Sequence, residues 1–459
     1  MTSKDIKKVY GIEPISSPAM DKAIESWQKL TNGNPAWATD DIKTIKFSNT
    51  IARELATLIT LNIDVKVVGR EQEVLQAALD KGFLSRAQEI LERVIRTGGL
   101  MAKWNGTGIE YLGPERFMPI ATDSAGNITS VVFLSYYRQG KHFYSRAEWH
   151  RYEGDQYKIS NRAFVSESQD DLGTETPLSA TKWADIERET AITGLEHPLY
   201  VYLKSPYSNT IDETSPLGVS IFSECEAELE WLDIAMSRLG RAVEDSAAVL
   251  FVDETVLKTG RQMGIKIPRY VQGLGSSVNM AKETIQQWSP DMQIQARKEA
   301  INFYLSIISY KCGFDPGYFV FDGSHITVAT ATQVEATERR TINTVLSYRN
   351  LLDRPASNGD GRVGFLHDLV YIIDAMRAAG GGSRGTYGAY EIYADFKDLT
   401  ENEEENKNFD KILTDGGYMA KWRFLVRHLG MTEEEAKQAV KEAIEEAQAE
   451  SAGGLFDEE

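Results

Sequence analysis

The sequence predicts a mixed α+β protein in which helical text surrounds a block of short strands. Three observations support this. Apolar residues recur at helical spacing near both ends; residues 100–205 change to short aromatic and β-branched runs; and from Phe222 an unusually regular helical stripe begins. At 459 residues, with 42% hydrophobic and 26% charged, the composition is globular and the chain too long for one core. Lys and Arg number 50 against 68 Asp and Glu, a formal charge of −18. Holding nucleic acid by bulk charge needs the opposite excess. Cys225 and Cys312 are too few for a disulfide framework and fit a reducing compartment. The opening MTSKDIKKVYG lacks the apolar core of a signal peptide. The longest apolar-rich stretch, Ile301–Tyr310, is about half of a ~20-residue membrane span. A soluble cytoplasmic product is expected.

The elements follow in order. Ile24, Trp27 and Leu30 open an amphipathic helix that stops at Asn32-Gly33-Asn34-Pro35. Ile45, Ile51, Leu55, Leu58 and Ile59 predict a helix over Thr44–Leu61, and a second periodic run spans Glu71–Arg96 with a break at Gly82. Strands are expected at Ile109–Leu112, Arg116–Ile120, Ile128–Arg138, His142–Tyr152 and Gln156–Val165. Turn pairs such as Gly126-Asn127, Gln139-Gly140 and Gly154-Asp155 separate them, and the pattern is an antiparallel meander. On the strand from His142, aromatic residues do not segregate to one face, so a bulge or burial on both faces is expected. His142 and His150 would share a face there, as a surface pair rather than a metal site.

Phe222, Cys225, Leu229, Leu232, Met236, Leu239 and Val243 follow at steps of three and four, the seam of a helix packed lengthwise against others. Such a helix is either the buried core of one subunit or part of an assembly. In the first case Leu232→Asp costs folding; in the second it costs mainly association. Residues 247–290 interrupt the helices, and a second helix runs from Asp291 to Lys311, so a helical hairpin with a small insert at its tip is expected. Between Thr255 and Lys282 the insert carries five basic residues and no acidic one, a solvated face or a partner surface. A Gly turn at Asp322-Gly323-Ser324 precedes a helix over Ala331–Leu352, and another spans Phe365–Ala378. From Glu391 to Glu459 there are 19 acidic and 8 basic residues, and Thr432 with Glu435 forms a capping box.

No phosphate-binding glycine loop, HExxH, paired-Cys zinc motif or Gly-x-Ser-x-Gly elbow occurs, and no catalytic residue, cofactor or metal is assigned. That favours a structural or binding role. The runner-up is a hydrolase or transferase with carboxylate chemistry in a cleft around the meander.

Several segments resemble, in order along the chain, the portal proteins of tailed double-stranded DNA bacteriophages, those of long-tailed phages of Gram-positive hosts. They are Met20–Trp37, NTIARELATLI at Asn49–Ile59, RFMPIATDSAGNI at Arg116–Ile128, FDGSHITVATATQVEATERRTINT at Phe321–Thr344, and the glycine-containing segment from Gly416 into a Glu-rich helix ending near Glu450. The resemblance implies a ring of twelve subunits around a DNA channel, assembled in the host cytoplasm and resident at the portal vertex of the virion. It implies a wing over residues 1–221, a first stem helix over 222–246, a clip over 247–290 and a second stem helix over 291–313. A tunnel loop, long helix and return to the wing would fill 314–390, and an acidic helical crown 391–459. By position, stem packing falls to Phe222, Leu229, Leu232, Met236, Leu239 and Val243. The channel loop falls to Asp322, Gly323, Ser324, His325, Ile326 and Thr327, and partner binding at the clip to Lys258, Arg261, Lys266 and Arg269. Implied partners are further copies of the chain, double-stranded DNA, the terminase large subunit, head-tail adaptor, scaffold and major capsid proteins, and no membrane. Another oligomeric capsid or connector component is the nearest alternative.

Overall fold

A capping box opens helix α1 (Ser3–Tyr10): the Thr2 side chain accepts from Asp5 N–H, and the Asp5 carboxylate accepts from Thr2 N–H at 2.7 Å. This helix, which periodicity did not single out, buries Ile6 and Val9. The computed structural model describes residues 1–15, 17–245, 249–253, 257–259, 262–263, 271–274, 285–288, 293–321, 339–356, 362–379, 384–396, 411–412, 414, 420–429 and 435–443.

Helix α2 (Pro18–Asn32) starts on a Ser17 cap with Pro at its first position and ends at Gly33 in the left-handed region. Next come α3 (Phe47–Thr60), β1 (Ile63–Gly69), α4 (Gln72–Gly82) and α5 (Ala87–Thr97), the run from Glu71 breaking at Gly82. Strands β2 (Gly99–Trp104) and β3 (Ile109–Leu112) lead into the meander of β4 (Phe117–Thr122), β5 (Ile128–Gln139), β6 (His142–Glu153), β7 (Gln156–Ser166) and β8 (Thr174–Thr176). These five lie in chain order, and β9 (Glu189–Thr193) also pairs with β7. Strand β10 (Tyr200–Lys204) returns beside β2, giving the order β10-β2-β3.

Both faces of the meander are covered. On one, α1 packs Ile6 against Val132, Leu134 and Ala147, with Tyr10 and Trp149 at the edge. On the other, Phe133 and His150 meet Tyr200, whose ring lies 5.7 and 5.9 Å from theirs. Burial on both sides explains why aromatic residues alternate on β6 without segregating.

Beyond β10 come α6 (Glu226–Asp245), β11 (Val249–Asp253), β12 (Val271–Leu274), β13 (Ile285–Trp288) and α7 (Ile294–Lys311). The three strands form a sheet of order β12-β11-β13, inserted in the chain between the two helices. Then α8 (Arg339–Leu352), β14 (Arg354–Pro355), β15 (Arg362–Val363), α9 (Phe365–Ala379) and β16 (Tyr390–Phe396) complete the larger unit, β16 pairing antiparallel with β1. The chain divides into two compact units, Met1–Thr327 with Thr337–Phe396, and Val328–Ala336 with Lys397–Glu459. Within the second, helix α10 (Lys421–Leu429) places Trp422 under Lys437 at 4.8 Å, and Ala436 is buried. The capping-box Thr432 and the expected helical residues 331–338 lie outside the described residues.

Candidate functional site

Helices α6 and α7 form an antiparallel hairpin. At its root Cys225 and Cys312 bring their sulfurs to 3.5 Å, and Lys311 Nζ meets Glu228 Oε1 at 2.6 Å. Further out the Trp231 and Tyr304 rings lie 6.1 Å apart, and Arg297 donates to the Arg238 carbonyl at 3.5 Å. A different face of α6 is strapped by residues 37–45. Asp233, 3% exposed, accepts from Trp37 Nε1 at 2.9 Å and from Ile45 N–H at 3.0 Å. Ser237 accepts from Lys43 N–H, and Arg241 binds the Asp41 carbonyl at 2.7 Å and carboxylate at 2.6 Å. The strap satisfies both oxygens of a buried carboxylate, without which its burial would be costly.

The seam on α6 loses cover with distance from the root. The expected helix from 222 begins instead at Glu226, with Phe222 in the turn before it; Phe222, Leu229 and Leu232 are buried, Met236 and Leu239 half-buried, and Val243 is 55% exposed. Leu232 is therefore core of the chain itself, the first of the two readings of the seam, under which Leu232→Asp costs folding. Helix α7 is apolar on two opposite sides. Ile301, Leu305, Ile308 and the adjoining Cys312 face inward and are buried. Ala296, Ala300, Phe303, Ile307 and Tyr310 repeat at steps of four and three about half a turn away. Phe303 is 62% exposed there, with Tyr310 at 53% beneath the Arg340 guanidinium. This second stripe follows the same three-and-four spacing that marks α6 in the sequence.

After α7 the chain turns at Gly313, and Asp315 accepts from Thr341 N–H and Oγ1 to anchor α8. It then runs back along α7 until Phe321, where Phe321 N–H reaches Asn302 Oδ1 at 3.4 Å. The candidate channel residues Asp322, Gly323, Ser324, His325, Ile326 and Thr327 follow directly and lie outside the described residues. Of the basic insert residues, Lys258 is described, with an exposed side chain; Arg261, Lys266 and Arg269 lie outside the described residues.

A cleft beside the meander, of about 470 Å³, is lined by Tyr152, His197, Lys204, Asp368 and Tyr387 among others. Asp368 accepts from the Tyr387 hydroxyl at 2.6 Å, and burial pushes its carboxyl up. The second carboxylate on the lining, Asp123, is occupied by its own turn, accepting from Asn127 and Ala125. Glycoside hydrolysis of the two-carboxylate type places both carboxyl groups beside the bond to be cleaved; on this lining Asp368 is hydrogen-bonded to Tyr387 and Asp123 to its own turn.

Deeper in the meander lies an ion cluster that sequence reading did not foresee. Glu148 accepts from Lys103 Nζ at 2.6 Å and Arg146 at 2.8 Å, and His150 Nε2 lies 2.8 Å from its other oxygen. His150 is 2% exposed and its Nδ1 lies 2.7 Å from the Tyr157 hydroxyl, so it forms no surface pair with the exposed His142. Tautomer follows from partners: Nε2 carries the proton toward the carboxylate and Nδ1 accepts from Tyr157. Burial pushes His150 down, favouring this neutral form.

Among the described residues no group of three or more His, Cys, Asp or Glu is placed to hold a metal ion, and no helix is long and apolar enough to cross a membrane. No protein-family model matches the chain, and no curated protein matches it.

Proposed function

We propose that the chain is the portal subunit of a tailed double-stranded DNA bacteriophage, a structural conduit without active-site chemistry. The observation that carries the proposal is the hairpin: α7 has apolar stripes on opposite sides, and among the described residues Ile301, Leu305 and Ile308 on one are buried while Phe303 and Tyr310 on the other are more than half exposed. An uncovered stripe on a helix joined to a fading seam on α6 suits a neighbour that continues the packing lengthwise. Head-to-tail repetition of such a contact closes a ring when its rotation permits.

Charge fits the conduit. Each phosphate neutralised by Lys or Arg releases a counterion and steepens salt-dependent binding by about 0.9 in log K. A chain of −18 keeps that contribution small, so duplex passes without sticking. The basic insert would then meet the terminase large subunit or a head-tail adaptor rather than DNA, with scaffold and capsid proteins outside the ring in the assembled virion. The subunit number of twelve rests on the resemblance alone. Light scattering on the eluting purified protein tests the proposal: a particle many times 51.4 kDa is expected, and a stable monomer would defeat it.

A further inference from the structure

We infer that Cys225 and Cys312 are a modification site, an oxidisable pair whose intramolecular disulfide staples the root of the two-helix hairpin. Their sulfurs are 3.5 Å apart although the residues stand 87 positions apart in the chain, and both are fully buried. A disulfide needs about 2.05 Å, so the sulfurs must approach by roughly 1.5 Å. Both residues sit at element ends rather than within a helix. Cys225 lies in the turn before α6, and Cys312 is the residue that ends α7. The inference is independent of what the assembled protein does.

The hydrogen bond to Cys312, and then burial, hold the Cys225 thiol well above the usual range. Thiolate is therefore scarce at neutral pH, the pair persists reduced, and oxidation accelerates as pH rises. With an azodicarboxamide oxidant such as diamide, one thiolate adds to the N=N bond. The second thiolate then attacks that sulfur, the S–S bond forms and the S–N bond breaks. The two thiol protons and two electrons end on the resulting hydrazine. The loop so closed contains α6, the inserted sheet and α7.

The test uses the full chain and diamide at pH 8.5. Titratable thiols under denaturing conditions should fall from two to none, and peptide mapping should join Cys225 to Cys312. A loop of this length should raise the unfolding temperature by about 5 °C, reversibly on reduction. Cys225→Ser and Cys312→Ser should each abolish that shift. Thiols that stay free after prolonged treatment, or disulfides joining different chains on a non-reducing gel, would overturn the site. A bond that forms with no change in unfolding temperature would overturn the staple.

Discussion

Replacing Glu148 by Gln keeps the side chain's shape and removes its charge. Lys103 and Arg146, whose side chains are 1% and 8% exposed, would then share an interior with no anion. Removing one partner of a buried ion pair costs about 3–5 kcal/mol, and here two cations are stranded, so the upper half of that range is expected. At about 1.2 °C per kcal/mol for a unit of this size, the unfolding midpoint should fall by roughly 5–6 °C. Circular dichroism and calorimetry at pH 7 read this directly. Adding Lys103→Met should restore part of the loss, because one stranded cation is removed. The acid limb is a second readout. Burial alone would raise the Glu148 carboxyl, but Lys103, His150 and Arg146 outweigh it and hold it well below 4.5. Its contribution is thus present above the unfolded carboxylate pKa and lost as pH falls through the folded value. His150, pushed below 6.5 by burial, contributes fully above pH 6.5 and loses ground below it. The native protein should weaken from pH 6.5 downward; Glu148→Gln should flatten the part below about pH 4.5 and, because Glu148 holds His150 up against burial, should enlarge the loss that begins at pH 6.5. A midpoint shift under about 2 °C, or an unaltered acid limb, would refute the reasoning.

Two further substitutions separate folding from assembly, and two more test a backbone contact and the basic insert. Leu232→Asp should cost the subunit its fold, seen as lost helical signal, because the site is 1% exposed. Phe303→Asp, at a side chain 62% exposed, should keep the helical signal while reducing particle mass; its open area is on the order of 100 Å², worth roughly 2.5 kcal/mol if a neighbour covers it. Gly98→Ala should destabilise by about 2 kcal/mol or more in denaturant titration, since Gly98 has φ +82° and a Cβ there would stand 2.5 Å from the Gly218 carbonyl oxygen. Reversing Lys258, Arg261 and Lys266 to Glu should weaken terminase-dependent packaging while particle mass stays native; unaltered packaging would remove the insert from the partner surface.

The elements that periodicity can mark were legible. The meander from Phe117 to Ser166 announced itself through turn pairs, and α3, α5, α6 and α9 through apolar spacing, because each has one face or run that a single chain must bury; Ile109–Leu112, expected as the meander's first strand, pairs instead with β2 in a separate sheet. What depends on distant partners was not. Strands β1 and β16 pair across more than three hundred residues, and Val65 and Val67 look like ordinary loop text without Ala394 and Ile392 opposite. The meeting of Cys225 with Cys312, and of Lys103 with Glu148, likewise arises from topology and leaves no local trace. Helix α1 was passed over because eight residues carry too few apolar positions for a period. In the candidate site the three-and-four spacing marks a stripe on α6, yet spacing alone does not say how far along it the chain's own cover extends: Leu232 is buried and Val243 exposed.

The central claim is that many copies of this chain close around an opening wide enough for duplex DNA. Negative-stain microscopy of the purified particle viewed end-on tests it most directly. Rings with a stain-filled central hole and regular rotational symmetry are the predicted result; single compact particles without a hole, at the mass of one chain, would contradict it.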